Sequence, residues 1–157
     1  MFEIRLAEKK HLSYCAKILM DIYNNNVLNE GWTEESSNDI CNFYFKLNPD
    51  LFFVAIVENK IVGFTFSYIK PWADGNQLMI EEIAVDEKFR KQGIATKLLK
   101  TLITTAKSKY SVVCVNGTTY NGENGMPFSW YERIGFQKVE DLFLIEGTTD
   151  NIIKLLK

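Results

Sequence analysis

A single histidine, His11, stands among the 157 residues, so a zinc site or a Ser-His-Asp triad would have to depend on that one imidazole. Cysteine is sparse as well. Cys15, Cys41 and Cys114 are odd in number, far apart and without a CxxC pair, which excludes a disulfide framework and points to a reducing cytoplasm. No apolar run approaches a membrane span, and the opening MFEIRLAEKK lacks the apolar centre of a signal peptide. Neither sign of charge dominates, and a formal net charge of −2 argues against a nucleic-acid partner. The phosphate loops GxxxxGK(S/T) and GxGxxG are absent too, which removes nucleoside-triphosphatases and dinucleotide dehydrogenases from consideration.

What remains is a chain of ordinary globular composition, 46% hydrophobic and 24% charged, long enough for one domain over residues 1–157. Phe2–Leu6 alternates as a short strand, and Leu12, Cys15, Ala16, Leu19, Ile22 and Tyr23 recur at helical spacing. EESSNDICNFYFKL reads as a second helix ahead of Pro49. LFFVAIVE and IVGFTFSYIK read as a hairpin about an Asn59-Lys60 turn, PWADGN as a loop, and QLMIEEIAVD as another strand. Ile94–Tyr110 carries one apolar stripe and is the clearest helix. SVVCVNG reads as a strand and PFSWYERI as a short helix, with Met126, Trp130 and Ile134 as its core stripe. GFQKVEDLFLIE and NIIKLL are expected as closing strands, the last equally compatible with a short helix. The order implies an α/β fold with a mixed sheet.

The junction between IEEIAVD and the long helix draws attention. Arg90, Lys91, Gln92 and Gly93 make a weak helix start by propensity, yet a helix N-terminus with free N–H groups suits an anion. Gly93 allows close backbone approach, and Arg90, Lys91 and Lys97 add positive charge, which together fit a pyrophosphate. The same residues also fit a plain turn with solvated charges.

RKQGIA (Arg90–Ala95), after a strand and opening an amphipathic helix, resembles the R/Q-x-x-G-x-G/A signature of the GNAT family of N-acetyltransferases. NGMPFSWYERIGF is similar to that family's second motif, with Asn124 seven residues before Tyr131 and Gly-Phe four beyond it. The likeness covers essentially the whole chain. It implies a single-domain α/β fold, a mixed and mostly antiparallel sheet flanked by about four helices. It also implies acetyl-CoA as co-substrate. The backbone of Ile83, Ala84 and Val85 would then pair with the pantetheine arm. Arg90, Lys91, Gln92, Gly93, Ile94, Ala95 and Thr96 would surround the pyrophosphate, Asn124 would hydrogen-bond the pantetheine, and Tyr131 would protonate the departing thiolate.

Acetylating an alkylamine requires a base, because most alkylamines are cationic at neutral pH. Glu81 and Glu82 are the candidates, and strand alternation places them on opposite faces, Glu81 with Met79, Ile83 and Val85, Glu82 with Ile80 and Ala84. The resemblance gives Glu81 the role of base and Glu82 that of substrate carboxylate or support. Tyr131 lies one step round from its helix's core stripe, where a phenol can reach a polar cleft or simply water. Of the aromatics Tyr23, Trp32, Phe43, Tyr44, Tyr68 and Trp72, most read as core, while Trp32 and Trp72 fall in expected loops beside an acceptor. Cys114 reads as a structural thiol within an apolar strand. The Asn116–Met126 connection, NGTTYNGENGM, is longer than the family pattern needs and leaves substrate identity open. The reading is a cytoplasmic acyltransferase acting directly on a primary amine, of polyamine or aminoglycoside type. A protein N-terminus or lysine is the alternative acceptor, and a non-catalytic acyl-CoA sensor the alternative class. No metal, nucleic acid or membrane partner is expected, and a homodimer through the C-terminal strands is compatible with the family.

Overall fold

The computed structural model describes residues 1–25, 29–120, 127–142 and 144–156. These form two compact units, Met1–Thr118 and Thr119–Lys157. The first contains the strands β1 (Glu3–Leu6), β2 (Phe53–Val57), β3 (Lys60–Trp72), β4 (Gly75–Val85) and β5 (Cys114–Gly117). Its helices are α1 (Leu12–Asn24), α2 (Glu34–Leu47) and α3 (Ile94–Tyr110). The second contains α4 (Phe128–Arg133) and α5 (Thr149–Leu155).

The sheet runs in the order β1-β2-β3-β4-β5. Its first three pairings are antiparallel, and β4–β5 is parallel. A mixed, mostly antiparallel sheet with helices is therefore what the residues build. The β2–β3 hairpin turns at Glu58 and Asn59, both at positive φ, rather than at Asn59-Lys60. Two left-handed residues match the twist of the flanking strands. The expected loop PWADGN is mostly strand, since Trp72 pairs with Gly75 and only Ala73-Asp74 turns. Trp72 thus sits at a hairpin tip, 57% exposed, with Lys70 Nζ 4.1 Å from its ring centroid.

One face of the sheet packs against α1 and α2. Phe52, Val54, Phe64, Phe66 and Ala84 meet Leu12, Cys15, Ala16, Ile18, Leu19 and Cys41 in one buried cluster. Each large side chain in it contributes about 1.5–3 kcal/mol. Helix α2 starts cleanly: Ser36 N–H donates to Thr33 Oγ1 at 3.1 Å while Thr33 N–H donates to Ser36 Oγ at 3.0 Å. Helix α3 packs on β2, β3 and β4 from the other side through Ile94, Leu98, Leu99, Leu102 and Ala106. Its C-terminal end is tied by Tyr110, whose hydroxyl lies 2.8 and 2.7 Å from the two oxygens of Asp50. Burial opposes ionisation of Asp50, but the Tyr110 and Lys109 hydrogen bonds prevail and hold its carboxyl below the ordinary range.

His11 is a buried core residue whose Nδ1 accepts the Glu8 N–H at 3.1 Å. Cys15 and Cys41 are buried and Cys114 is exposed, so the expectation of a thiol enclosed in an apolar strand fails for Cys114. In the second unit no described residue between Phe136 and Thr148 is in a strand, and NIIKLL lies in helix α5 up to Leu155, with Leu156 as its C-cap. An apolar run becomes a strand only against a partner edge, and Leu142, Leu144 and Ile145 stay exposed. Ile134 is also 40% exposed, at the end of α4 rather than in a core stripe, and Met126 lies outside the described residues.

Candidate active site

The pairing of β3 with β4 slips at one point. Phe66 lies opposite Glu82 and Ser67 opposite Ile80, so Glu81 is an extra residue with no partner on β3. Such a bulge breaks the strict alternation of faces. Glu82 keeps the Phe66 face, toward α1 and α2, and its Oε2 accepts the Tyr23 hydroxyl at 2.7 Å. Glu81 turns the same way, where its carboxylate lies near enough to Tyr44 of α2 to oppose ionisation of that phenol. The two carboxylates therefore share a face, contrary to the alternation read from the sequence.

Around them stands an aromatic wall. Tyr44 stacks on Phe66 at 4.6 Å and approaches Tyr68 at 6.2 Å, and Tyr23 tilts against Trp32 at 6.5 Å. Asn24 fixes Trp32 by donating to its carbonyl at 2.7 Å and accepting its N–H at 2.8 Å. Trp32 Nε1 donates to Glu30 at 2.9 Å. Glu81 is exposed and Glu82 half-buried. Burial pushes the Glu82 carboxyl up from 4.5 to about 7; hydrogen bonds from Tyr23 and the Ile83 N–H oppose the rise, and the charges of Glu81 and Glu30 add to it. Burial, then the Glu81 carboxylate, pushes the Tyr44 phenol well above its ordinary range. Burial and the Glu82 charge push the Cys41 thiol up to about 12. The arrangement can attract a cation and take a proton from it near neutral pH.

The other half of the expected site is the strand edge and the head of α3. Pairing of β4 with β5 ends at Ile80 and Gly117, so beyond it Glu81–Val85 has no strand on that side among the described residues. Ile83, Ala84 and Val85 follow directly, and the Ile83 N–H donates to Glu82 Oε1 at 2.9 Å. Arg90 folds back, its Nε donating to the Val85 carbonyl at 3.2 Å. Lys91 and Gly93 both have positive φ, 60° and 81°. Gly93 caps α3 without a side-chain acceptor, and no acidic residue follows in the first turn. Among the described residues no side-chain cap meets the N–H groups there, and Arg90, Lys91, Gln92, Gly93 and Thr96 are exposed around them, with Ala95 half-buried and Ile94 buried.

Tyr131 belongs to the second unit. Its ring meets Trp130 at 4.7 Å and Phe136 at 5.3 Å, and its carbonyl accepts the Phe136 N–H at 3.1 Å. Asn124 lies outside the described residues. Sequence reading set Tyr23 and Tyr44 among core aromatics and passed over Glu30. Their only signal was a position within one helical turn or loop of α1 and α2, which acquires meaning once β4 is known to bulge.

A mixed sheet whose fourth strand bulges, opens at its edge and leads into an uncapped helix defines an acyl-coenzyme A type of scaffold. Residues 13–136 match the acetyltransferase (GNAT) family, and the chain belongs to that family. It is 34% identical over 100 residues to an N-alpha-acetyltransferase of Saccharolobus solfataricus, covering 58% of this chain and 59% of that protein. It is 32% identical over 121 residues to N-acetylaspartate synthetase of Danio rerio, covering 75% and 41%. The chain thus spans about half the length of the curated relatives it matches. An aminoglycoside N-acetyltransferase in complex with CoA shares the fold, with a TM-score of 0.75 at 18% identity over 94% of this chain and 95% of that one.

Proposed function

We propose that the chain is an acetyl-CoA-dependent N-acetyltransferase acting on the primary amine of a cationic small molecule, with residues 1–157 serving as one catalytic domain. The observation that carries this reading is the bulge at Glu81, which turns two adjacent carboxylates toward one aromatic-lined face. The co-substrate supplies an activated acetyl thioester. The N–H groups at the head of α3, with Arg90, Lys91 and Gln92, would hold its pyrophosphate, and the open edge of Ile83, Ala84 and Val85 would align its pantetheine arm.

Glu81, exposed and charged, would draw the ammonium in. Glu82, poised near neutrality, would take its proton directly or through one water, leaving the neutral nitrogen to form the new N–C bond as the C–S bond breaks. This exchanges the roles that the sequence reading gave the two. The resemblance, rather than any geometry, gives Tyr131 the proton for the thiolate and Asn124 the pantetheine. A cytoplasmic location and an optional homodimer remain part of the reading, and no described helix is long and apolar enough to cross a membrane.

The 34% identity to an N-alpha-acetyltransferase favours a second reading, acetylation of a peptide N-terminus. Thiol release from acetyl-CoA against polyamines, aminoglycosides, amino acids and short peptides separates the two. Turnover with a polycationic amine, reduced at least tenfold in Glu82→Gln and in Tyr131→Phe, is the expected result. Turnover with peptides alone would replace the acceptor class. Coenzyme binding without turnover on any amine would make the chain an acyl-CoA sensor.

A further inference from the structure

Both oxygens of Glu82 are held. Oε1 accepts the Ile83 N–H at 2.9 Å, a contact that any residue at that position would supply. Oε2 accepts the Tyr23 hydroxyl at 2.7 Å, and that donor comes from α1, 59 positions away. Tyr23 is itself fixed. Its carbonyl accepts the Glu30 N–H at 3.3 Å, its ring lies against Trp32, and the adjacent Asn24 clasps the Trp32 backbone at both N–H and C=O. Tyr23 and Asn24 are thereby tied to Glu30 and Trp32.

The groups around Glu82 come from each element packed on it. Helix α1 brings Tyr23 and, against Cys41, the thiol of Cys15; α2 brings Cys41, and Tyr44 by way of Glu81. The loop after α1 brings Glu30, and the strand itself brings Glu81. Burial keeps both thiols neutral, and Glu30 and Glu81 oppose a charge on Glu82. The Tyr23 hydroxyl is the side-chain donor set against them. A hydrogen bond to an ionised carboxylate is short and strong, and it favours the charged form.

We propose that Tyr23 is a positioning residue of the acetyl transfer: its hydroxyl, 2.7 Å from Oε2, aims the Glu82 carboxylate and favours its ionised form. The proposal rests on the reading of Glu82 as base. Without the hydroxyl the carboxylate loses a donor specific to its ionised form, so its proton is held more tightly.

The test uses the intact chain carrying carboxyl-13C glutamate, with no substrate or coenzyme, and Glu82 assigned by its absence in Glu82→Gln. Tyr23→Phe removes one oxygen and keeps the ring against Trp32. The Glu82 midpoint should rise by about one pH unit, a hydrogen bond to a charged group being worth about that much. The acid limb of kcat/KM, with whichever amine the panel identifies, should rise by the same amount, a loss of about tenfold below the limb. Asn24→Ala, which loosens the clasp and leaves the hydroxyl, should give a smaller shift of the same sign. An unmoved midpoint in Tyr23→Phe overturns the proposal, as does a rate lowered equally at every pH. An acid limb that survives Glu82→Gln overturns the base reading instead, and the catalytic side of the proposal falls with it even if the midpoint moves.

Discussion

Glu81 and Glu82 are consecutive in the chain and turn to the same face of the sheet, one beside the Tyr44 phenol of α2 and the other hydrogen-bonded by Tyr23 of α1. In an unbroken strand they would point apart. The slip between Phe66–Glu82 and Ser67–Ile80 makes the difference, and it costs one unpaired residue in the middle of the longest pairing of the sheet.

The charge of Glu81 helps to keep Glu82 protonated, so Glu81→Gln should lower the Glu82 midpoint and move the acid limb of kcat/KM to lower pH, by less than about one unit. The same substitution removes an attraction for the ammonium. The Michaelis constant for a dicationic amine should rise severalfold, and more than for a monocationic one. Steady-state kinetics across pH with paired amines of equal length checks both effects.

Glu82 also links stability to pH. Its carboxyl titrates near 4.5 when unfolded and about 7 when folded, so between those values the folded chain binds the proton that the unfolded chain has released. The contribution is fully present below 4.5 and is lost as pH rises through about 7. The range spans roughly 3 kcal/mol by linkage. Glu82→Gln should remove that slope, making the variant more stable than the parent at pH 8 while losing the advantage near pH 5. Urea melts at several pH values measure it.

Gly93 has φ of 81°, and a Cβ built there would meet nothing within 4 Å. Gly93→Ala therefore carries only backbone strain, about 1 kcal/mol. Thermal melting should show a small loss. Affinity for coenzyme A, read by calorimetry, should fall more than stability does, because the N–H groups that the left-handed residue presents would be re-aimed.

The helices were legible because their signals are local. The stripe from Ile94 to Tyr110 and the Thr33–Ser36 capping pair each define an element from neighbours within a turn. The Asn59 turn was displaced by one residue, since Glu58 adopts positive φ although its side chain does not announce it. The closing strands were misread for a different reason. Val139 and the apolar run from Leu142 to Ile145 suggest a strand, yet none of the described residues there forms one, and Leu142, Leu144 and Ile145 stay exposed. Threonine and aspartate ahead of Ile152 and Ile153 were the better local signal, and there a helix formed.

By itself the sequence determined the family, the strand and helix that bracket Arg90–Ala95, and the presence of two adjacent glutamates in the fourth strand. The family follows from the resemblance of its two motifs, and the elements from local spacing, which the chain carries wherever it goes. The tertiary structure decided which way those glutamates face, which phenols lie beside them, and how readily Glu82 gives up its proton. Register with β3 inserts the extra residue, and packing of α1 and α2 brings Tyr23 and Tyr44 across 59 and 37 positions of chain. Contacts of that separation depend on how distant segments dock, and no local preference encodes them.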